Sequence, residues 1–118
     1  MKKLRKYSAL RKEAQRVFNR WIVNRDRVCI TCGRPAEHAG HFIHRNCYDF
    51  NEQILHGQCA YCNTYLHGNL GVYAMKMIEL YGFDNVEEMH RQSHEIVKFS
   101  REFLEEVIRK YSFDRSEQ

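Results

Sequence analysis

The stretch that decides the fold is "CITCGRPAEHAGHFIHRNCYDFNEQILHGQCAYCN", residues 29–63, because a Cys-x-x-Cys pair stands near each of its ends. Twenty-six residues separate Cys29/Cys32 from Cys59/Cys62. Two such pairs on tight turns supply four thiolates, the usual ligand set of a tetrahedral structural zinc. Since four thiolates leave no open coordination position, we expect this zinc to stabilise the fold rather than to react. The alternative is a pair of redox motifs, but nothing here resembles the single exposed pair of a thioredoxin-like unit.

Length and composition indicate a single globular domain, residues 1–118. The chain has 118 residues and a hydrophobic share of 43%, which suits one domain with its own core. No segment approaches the 18 or so apolar residues that a membrane span needs, and the basic N-terminus lacks the apolar run of a signal peptide. We therefore expect a cytoplasmic protein, whose cysteines bind metal rather than form disulfides. The fifth cysteine, Cys47, is expected to be a small buried side chain.

Positive charge is concentrated at one end of the chain. Residues 1–28 hold ten Lys and Arg against Glu13 and Asp26, a net +8, whereas residues 29–75 carry −1 and residues 76–118 carry −3. A basic end favours a polyanionic partner, nucleic acid before others. The alternative is a solvated helix face that has no partner.

The apolar pattern predicts an α+β fold, in which a small cysteine-bearing core (28–70) lies between a basic helix (1–27) and a helical C-terminal part (71–118). Apolar residues recur at three- and four-residue steps over about residues 4–26, which indicates one helix. Basic side chains fall largely outside that stripe: Lys6, Arg11, Lys12, Arg16 and Arg20. The segments "VCITCGRP" and "HAGHFIH" are typical of short strands.

The C-terminal part is predicted to form three helices. The first starts near residue 70 and is stopped by Gly82, the second follows with Asp84 or Asn85 as its cap, and the third begins at the capping residue Ser93. We expect these helices to serve packing or dimerisation. Tyr61 and Tyr65 are expected to pack in the core, although they could stack on DNA bases.

The region between and beside the cysteine pairs is rich in side chains that bind metals or protons. It offers His38, His41, His44, Asn51, His56 and Asn63. A neutral imidazole can accept a proton from water or ligate a metal, and an amide oxygen suits Mg²⁺ or Mn²⁺. Together with a basic helix, these residues indicate metal-assisted phosphodiester hydrolysis.

The segment "CITCGRPAEHAGHF…NEQILHGQCAYCNTYLHGN" resembles the phage recombination protein family NinG, also called Rap. The resemblance runs from about Val17 to Gly82 and includes both cysteine pairs, "AGHF", "H-x-Q-C-x-x-C-N" and "GN". It implies an HNH, or ββα-metal, nuclease that cuts branched intermediates such as Holliday junctions and D-loops. The layout is also similar to junction resolvases of the endonuclease VII type.

The resemblance assigns roles by position. It implies that His41, in "AGH", is the general base that activates water and that Asn63, directly after Cys62, binds a catalytic Mg²⁺ or Mn²⁺. Gly40 stands where many HNH proteins have a metal-binding Asp, so His38 is the candidate second ligand. Ile54 stands where an orienting Asn is expected, which leaves Asn51 or His56 for that role.

His44 is a weaker candidate, because residues 41 and 44 of a regular strand point to opposite faces. Both could serve one metal only if the strand bulged or ended between them. Arg45 and the basic residues of the first helix are the expected phosphate contacts.

We therefore expect a structure-selective DNA endonuclease with a structural zinc and a catalytic Mg²⁺ or Mn²⁺. A homodimer is expected because resolving a four-way junction requires two cuts. Two alternatives stand beside it: a non-catalytic zinc module that binds DNA, and a zinc knuckle that presents helices to a protein partner.

Overall fold

The computed structural model describes residues 4–112, in which a two-stranded antiparallel sheet is surrounded by four α-helices. The first helix, α1, spans Tyr7–Asp26 and begins three residues later than the apolar stripe predicted. It ends where Arg27 adopts a positive φ of 66° and donates its backbone N–H to the Val23 carbonyl. An α+β architecture is confirmed.

The sheet consists of β1, His38–His41, and β2, Leu55–Gln58. His41 pairs with Leu55 and Gly40 pairs with His56. Side chains of paired residues share a face, and neighbours along a strand alternate between faces. His41 and His56 therefore lie on opposite faces of the sheet. The predicted strand at "VCITCGRP" is reduced to one isolated bridge between Val28 and Pro35.

The first helix forms the centre of the core. It lies against both strands and runs along α4, which spans Arg101–Ser112. The rings of Phe18 and Trp21 pack edge-on against Tyr111, with centroid separations of 4.7 and 4.9 Å. The helix buries five apolar side chains: Leu10, Ala14, Val17, Phe18 and Ile22.

The C-terminal helices differ from the prediction in their boundaries. Gly82, with φ of 87°, ends α2 (Leu70–Tyr81) as predicted. The helix α3, Phe83–Arg91, follows Gly82 directly, so neither Asp84 nor Asn85 is its cap. No helix between residues 4 and 112 has the length and apolar character needed to cross a membrane.

Ser93 is not the cap of the last helix. Residues 95–100 are not helical, and the hydroxyl of Ser100 accepts the backbone N–H of Phe103 at 3.0 Å. Tertiary contacts bind the chain at both ends of this segment: Arg45 donates to the Ser93 carbonyl just before it, and Tyr7 donates to the Phe99 carbonyl within it. Ile96, in this non-helical segment, is fully exposed.

Candidate functional site

The two cysteine pairs converge on one point. One sulfur atom from each of Cys29, Cys32, Cys59 and Cys62 lies within 4.8 Å of every other. Cys32 is exposed and the other three cysteines are buried. Because thiolates at this spacing are the donor set of a tetrahedral metal, the cluster can bind a metal such as zinc.

The surroundings of the cluster shift the pKa values of Cys29 and Cys32 in opposite directions. Burial alone would raise the pKa of the Cys29 thiol, but hydrogen bonds from the Thr31 hydroxyl and from backbone N–H groups lower it to about 6. A backbone N–H at Arg34 favours the thiolate of Cys32, yet slight desolvation and the three neighbouring thiols raise its pKa to about 12. Four thiols in one site resist full ionisation without a cation, so metal binding must release protons.

Gln58 connects the cysteine cluster to β1. Its side chain is fully buried, and its Nε2 donates to the Gly68 carbonyl at 2.8 Å and the Thr31 hydroxyl at 3.2 Å. Its Oε1 has no hydrogen-bond partner within residues 4–112 and faces the side of Gly40 where a Cβ would stand. Gly68 has a positive φ of 93°, a backbone conformation that suits glycine.

A groove of about 470 Å³ lies between α1 and β1. Its walls bring together residues that the sequence suggested separately, Arg16 and Arg20 as phosphate contacts and His38 and Asn63 as metal ligands. Glu37, which the sequence reading missed, also lines the groove, and its Oε1 accepts the Ala60 backbone N–H at 2.8 Å. The groove thus combines positive charge with amide, imidazole and carboxylate donors.

His41 pairs with a carboxylate that the sequence analysis did not single out. Its Nε2 lies 3.0 Å from Asp49 Oδ1, while Arg11 forms an ion pair with Asp49 Oδ2. Gln15 Nε2 donates to the Asp49 backbone carbonyl at 2.8 Å and to Asn19 Oδ1 at 2.9 Å. Asn19 lines the groove, so hydrogen bonds run from His41 to the groove wall.

The structure corrects the expectation for His44. The strand ends at His41, and the chain then bends so that the two imidazoles stack with centroids 4.8 Å apart. Burial, and secondarily the neighbouring His41, lower the pKa of His44 below its ordinary value. His44 therefore lies beside His41 rather than on the opposite face.

His56 belongs to a different cluster. Its Nδ1 lies 3.3 Å from Asp26 Oδ2, and its Nε2 lies 3.1 Å from the Tyr81 hydroxyl. Burial alone would raise the pKa of Asp26, but hydrogen bonds from His56, Arg25 and the Gly57 backbone N–H hold it well below its usual range. The sheet register separates this cluster from His41, so His56 ties β2 to the ends of α1 and α2.

Other candidate residues make contacts within the protein. Asn51 Oδ1 accepts the backbone N–H groups of Gln53 and Ile54 at 2.8 and 3.0 Å, which shapes the turn into β2. Arg45 Nε donates to the Ser93 carbonyl at 3.0 Å, and its Nη2 lies 2.9 Å from His94 Nδ1.

The remaining candidate side chains differ in how far they are exposed. Lys6 and Lys12 are exposed, whereas Arg11 is occupied by Asp49. Tyr61 and Tyr65 are exposed, so the expectation that they pack in the core is wrong. Cys47 is half-buried and packs against the core.

Comparison with known proteins identifies the family. The family model described as "Bacteriophage Lambda NinG protein" matches residues 1–117. The chain is 32% identical to "Protein ninG" of Escherichia phage lambda and of Salmonella phage P22, over 90% of this chain and 59% of each relative. It is 35% identical to "Protein ninG" of Escherichia phage 933W, over 66% of this chain and 43% of the relative.

These alignments therefore span about three-fifths or less of the relatives' own length. No solved structure matches the chain. With nearly all of its residues matched by the family model, this chain belongs to the NinG family.

Proposed function

We propose that this chain is a divalent-metal-dependent, structure-selective DNA endonuclease of the HNH type, which acts on branched recombination intermediates such as Holliday junctions and D-loops. One observation carries the proposal: the groove between α1 and β1 places Arg16 and Arg20 beside His38 and Asn63. Guanidinium groups bind phosphate, whereas imidazole and amide groups bind divalent metals. In phosphodiester hydrolysis, both cationic side chains and bound metal ions can stabilise the charge that develops on the phosphate.

The lining of the groove offers the types of donor that a divalent cation takes. Asn63 supplies an amide oxygen, His38 an imidazole nitrogen, and Glu37 the hard carboxylate that Gly40 cannot supply. A phosphate bound by Arg16 and Arg20 would offset the repulsion between those arginines and the cation. Bound Mg²⁺ or Mn²⁺ would stabilise charge on the phosphate and on the leaving 3′-oxygen.

His41 is the proposed general base. It ends β1 and is half-buried beside α1, on the opposite face of the strand from His38. The hydrogen bonds through Asp49, Gln15 and Asn19 link it to the groove. An imidazole is basic near neutral pH when unprotonated, so it can take a proton from the attacking water. The cysteine cluster supports this arrangement, because its second pair directly precedes Asn63 and thereby fixes the position of that residue relative to β1. The same order of elements underlies the proposed likeness to endonuclease VII.

A second candidate function, a non-catalytic zinc module that binds DNA, is favoured by a specific observation. At Gly40, where many HNH proteins have a metal-binding Asp, the buried amide of Gln58 occupies the space of a side chain. Within residues 4–112, the four cysteines are the only group of three or more His, Cys, Asp or Glu side chains close enough to share a metal. DNA binding by Arg16 and Arg20 does not require catalysis.

The deciding experiment is a cleavage assay on four-way junctions, D-loops and linear duplexes with zinc-loaded protein and added Mg²⁺ or Mn²⁺. We expect metal-dependent cleavage of the branched substrates, and we expect His41→Ala to remove it while zinc content and the thermal midpoint stay unchanged. The matched control is His67→Asn. His67 is exposed and has a left-handed backbone conformation, which asparagine also adopts readily. Cleavage by His41→Ala at the wild-type rate would refute the mechanism.

DNA binding is measured separately on the same junctions as a function of salt. Replacing Arg16 and Arg20 by Gln should weaken binding and reduce the dependence of the binding constant on salt, since fewer phosphates are contacted. Arg91→Gln, which removes an exposed ion pair with Glu88 on α3, is the control. Salt-sensitive binding without cleavage by the wild-type protein would select the DNA-binding module. The proposed homodimer is tested by sedimentation of the junction complex.

A further inference from the structure

The carboxylate of Asp49, beside His41, supports an inference about the catalytic base. This inference extends the proposed function and rests on it. We infer that Asp49 is a positioning residue, which fixes the tautomer of His41 so that Nδ1 is the atom that accepts the proton of the attacking water. The hydroxide that results forms the new bond to phosphorus as the bond to the 3′-oxygen breaks. The leaving oxygen then takes a proton from solvent.

The hydrogen bonds of Asp49 determine where the proton of the imidazole resides. Its Oδ2 is paired with the guanidinium of Arg11, which stays protonated at any physiological pH. An arginine partner favours the ionised carboxylate, and a carboxylate only accepts hydrogen bonds. Asp49 Oδ1, 3.0 Å from His41 Nε2, must therefore accept a hydrogen from that nitrogen. A neutral imidazole protonated at Nε2 keeps its lone pair on Nδ1.

The carboxylate is itself held in place from several sides. The backbone N–H of Asp49 donates to the Asn46 carbonyl at 3.1 Å, which closes the short 3₁₀ turn Asn46–Tyr48. Gln15 donates to the Asp49 backbone carbonyl. The side chains of His41 and Asp49 are only 16% and 15% exposed, so water competes weakly for their hydrogen bond.

The His41–Asp49 contact does more than anchor the loop. The ion pair with Arg11 and the bond from Gln15 already fasten Asp49 to α1. The contact with His41 uses the second carboxylate oxygen, and it restricts rotation of the ring as well as the site of protonation. His44, stacked on the ring at 4.8 Å, restricts the same rotation. Within residues 4–112, no hydrogen-bond partner occupies His41 Nδ1, the atom the inference needs.

Asp49→Asn tests the inference with little change in shape. The asparagine oxygen can still accept from Arg11, but its NH₂ group then faces His41 Nε2 and donates to it. The imidazole proton must move to Nδ1, which can no longer act as a base. We expect cleavage of the four-way junction to fall about 10²–10⁴-fold in kcat, the range for losing a general base or its correct tautomer, with KM changed less than threefold. The control is Asp84→Asn, which removes an exposed acid at the start of α3.

A spectroscopic readout separates this inference from the nuclease proposal. Nitrogen-15 shifts of the histidine rings at about pH 8.5, where imidazole is neutral, distinguish the protonated from the unprotonated nitrogen. The His41 signals are assigned by their loss in His41→Ala. We expect protonation at Nε2 in the wild-type protein and at Nδ1 in Asp49→Asn, with Asp84→Asn like the wild type.

The inference would be overturned if His41 of the wild-type protein were protonated at Nδ1. It would also be overturned if Asp49→Asn kept the wild-type tautomer or the wild-type kcat. If the wild-type protein cleaves no DNA, the proposed function fails, and the nitrogen shifts alone decide whether Asp49 orients His41.

Discussion

Adding one methyl group at Gly40 should destabilise this protein strongly. A Cβ on Gly40 would stand 2.0 Å from Gln58 Oε1, 2.8 Å from its Cδ and 3.0 Å from its Cγ. Real Cβ atoms do not approach other heavy atoms so closely, so Gly40→Ala requires the Gln58 side chain to move. That side chain is fully buried and cannot swing into solvent without disturbing its neighbours.

The cost follows from what Gln58 would lose. Its Nε2 bonds to the Gly68 carbonyl and the Thr31 hydroxyl would break or lengthen, at about 1 kcal/mol each. Overpacking of a filled interior adds about 1–3 kcal/mol. We therefore expect Gly40→Ala to lower the free energy of unfolding of the zinc-loaded protein by about 3–5 kcal/mol.

The assay is urea unfolding at saturating zinc, followed by circular dichroism. Gly71→Ala is the matched control, because a Cβ there meets nothing within 4 Å and the residue lies in α2, where Ala is the better helix former. Placing Gly40→Ala in a Gln58→Ala background should reduce its cost to less than about 1 kcal/mol, since the clashing group is gone. A cost below about 1 kcal/mol in the wild-type background would show that Gln58 does not fill this space.

Two further predictions concern stability. Removing zinc with a chelator should unfold the chain cooperatively, as followed by circular dichroism, because the four cysteine ligands hold two distant segments together; retention of the folded spectrum in metal-free protein would contradict this. Asp26→Asn should lower the free energy of unfolding at pH 7 by about 2 kcal/mol. The folded-state pKa of Asp26 lies below its unfolded value, so its stabilisation is present above about pH 4 and is lost as pH falls. The difference from wild type should therefore shrink in acid, and a difference that grows there would refute the assignment.

The parts of the fold that local chemistry determines could be predicted from the sequence. The spacing of the cysteines indicated one cluster, and the stripe through Leu10 and Phe18 indicated a helix that buries one face. Gly82 marked the end of α2, because a positive φ there suits glycine best. The helix and its end are signalled within a few residues, and the cluster is signalled by two short Cys-x-x-Cys motifs that are separated by 26 residues.

The parts that depend on distant contacts could not be predicted. Helix α4 begins at Arg101 rather than near Ser93, and the chain before it is bound by distant residues, Arg45 at the Ser93 carbonyl and Tyr7 at the Phe99 carbonyl. The periodicity of "HEIVKFSREFL" does not reveal these bonds. Similarly, the sequence placed His44 across the strand from His41, whereas the strand stops one residue after Gly40 and the chain bends.

The pairing of His41 with Asp49 also depends on residues that are distant in sequence. Asp49 is eight residues from His41 and 38 from Arg11, and a short 3₁₀ turn brings it between them. In the charge count, Asp49 is only one of the acidic residues in the nearly neutral segment 29–75. The signal that could have found it is physical: a half-buried histidine needs a partner for its N–H, and few acids lie within a loop's reach of β1.

Gly40 and Gln58 together limit where the proposed Mg²⁺ or Mn²⁺ could be bound. An Asp at position 40 would begin with the same Cβ that Gln58 excludes, so Gly40→Asp would disturb the bonds from Gln58 to Thr31 and Gly68. Any cation held beside β1 must instead take its ligands from the open side of the groove, where Glu37, His38 and Asn63 lie. Gln58, which joins the cysteine cluster to the sheet, would therefore also determine from which side the proposed cation is bound.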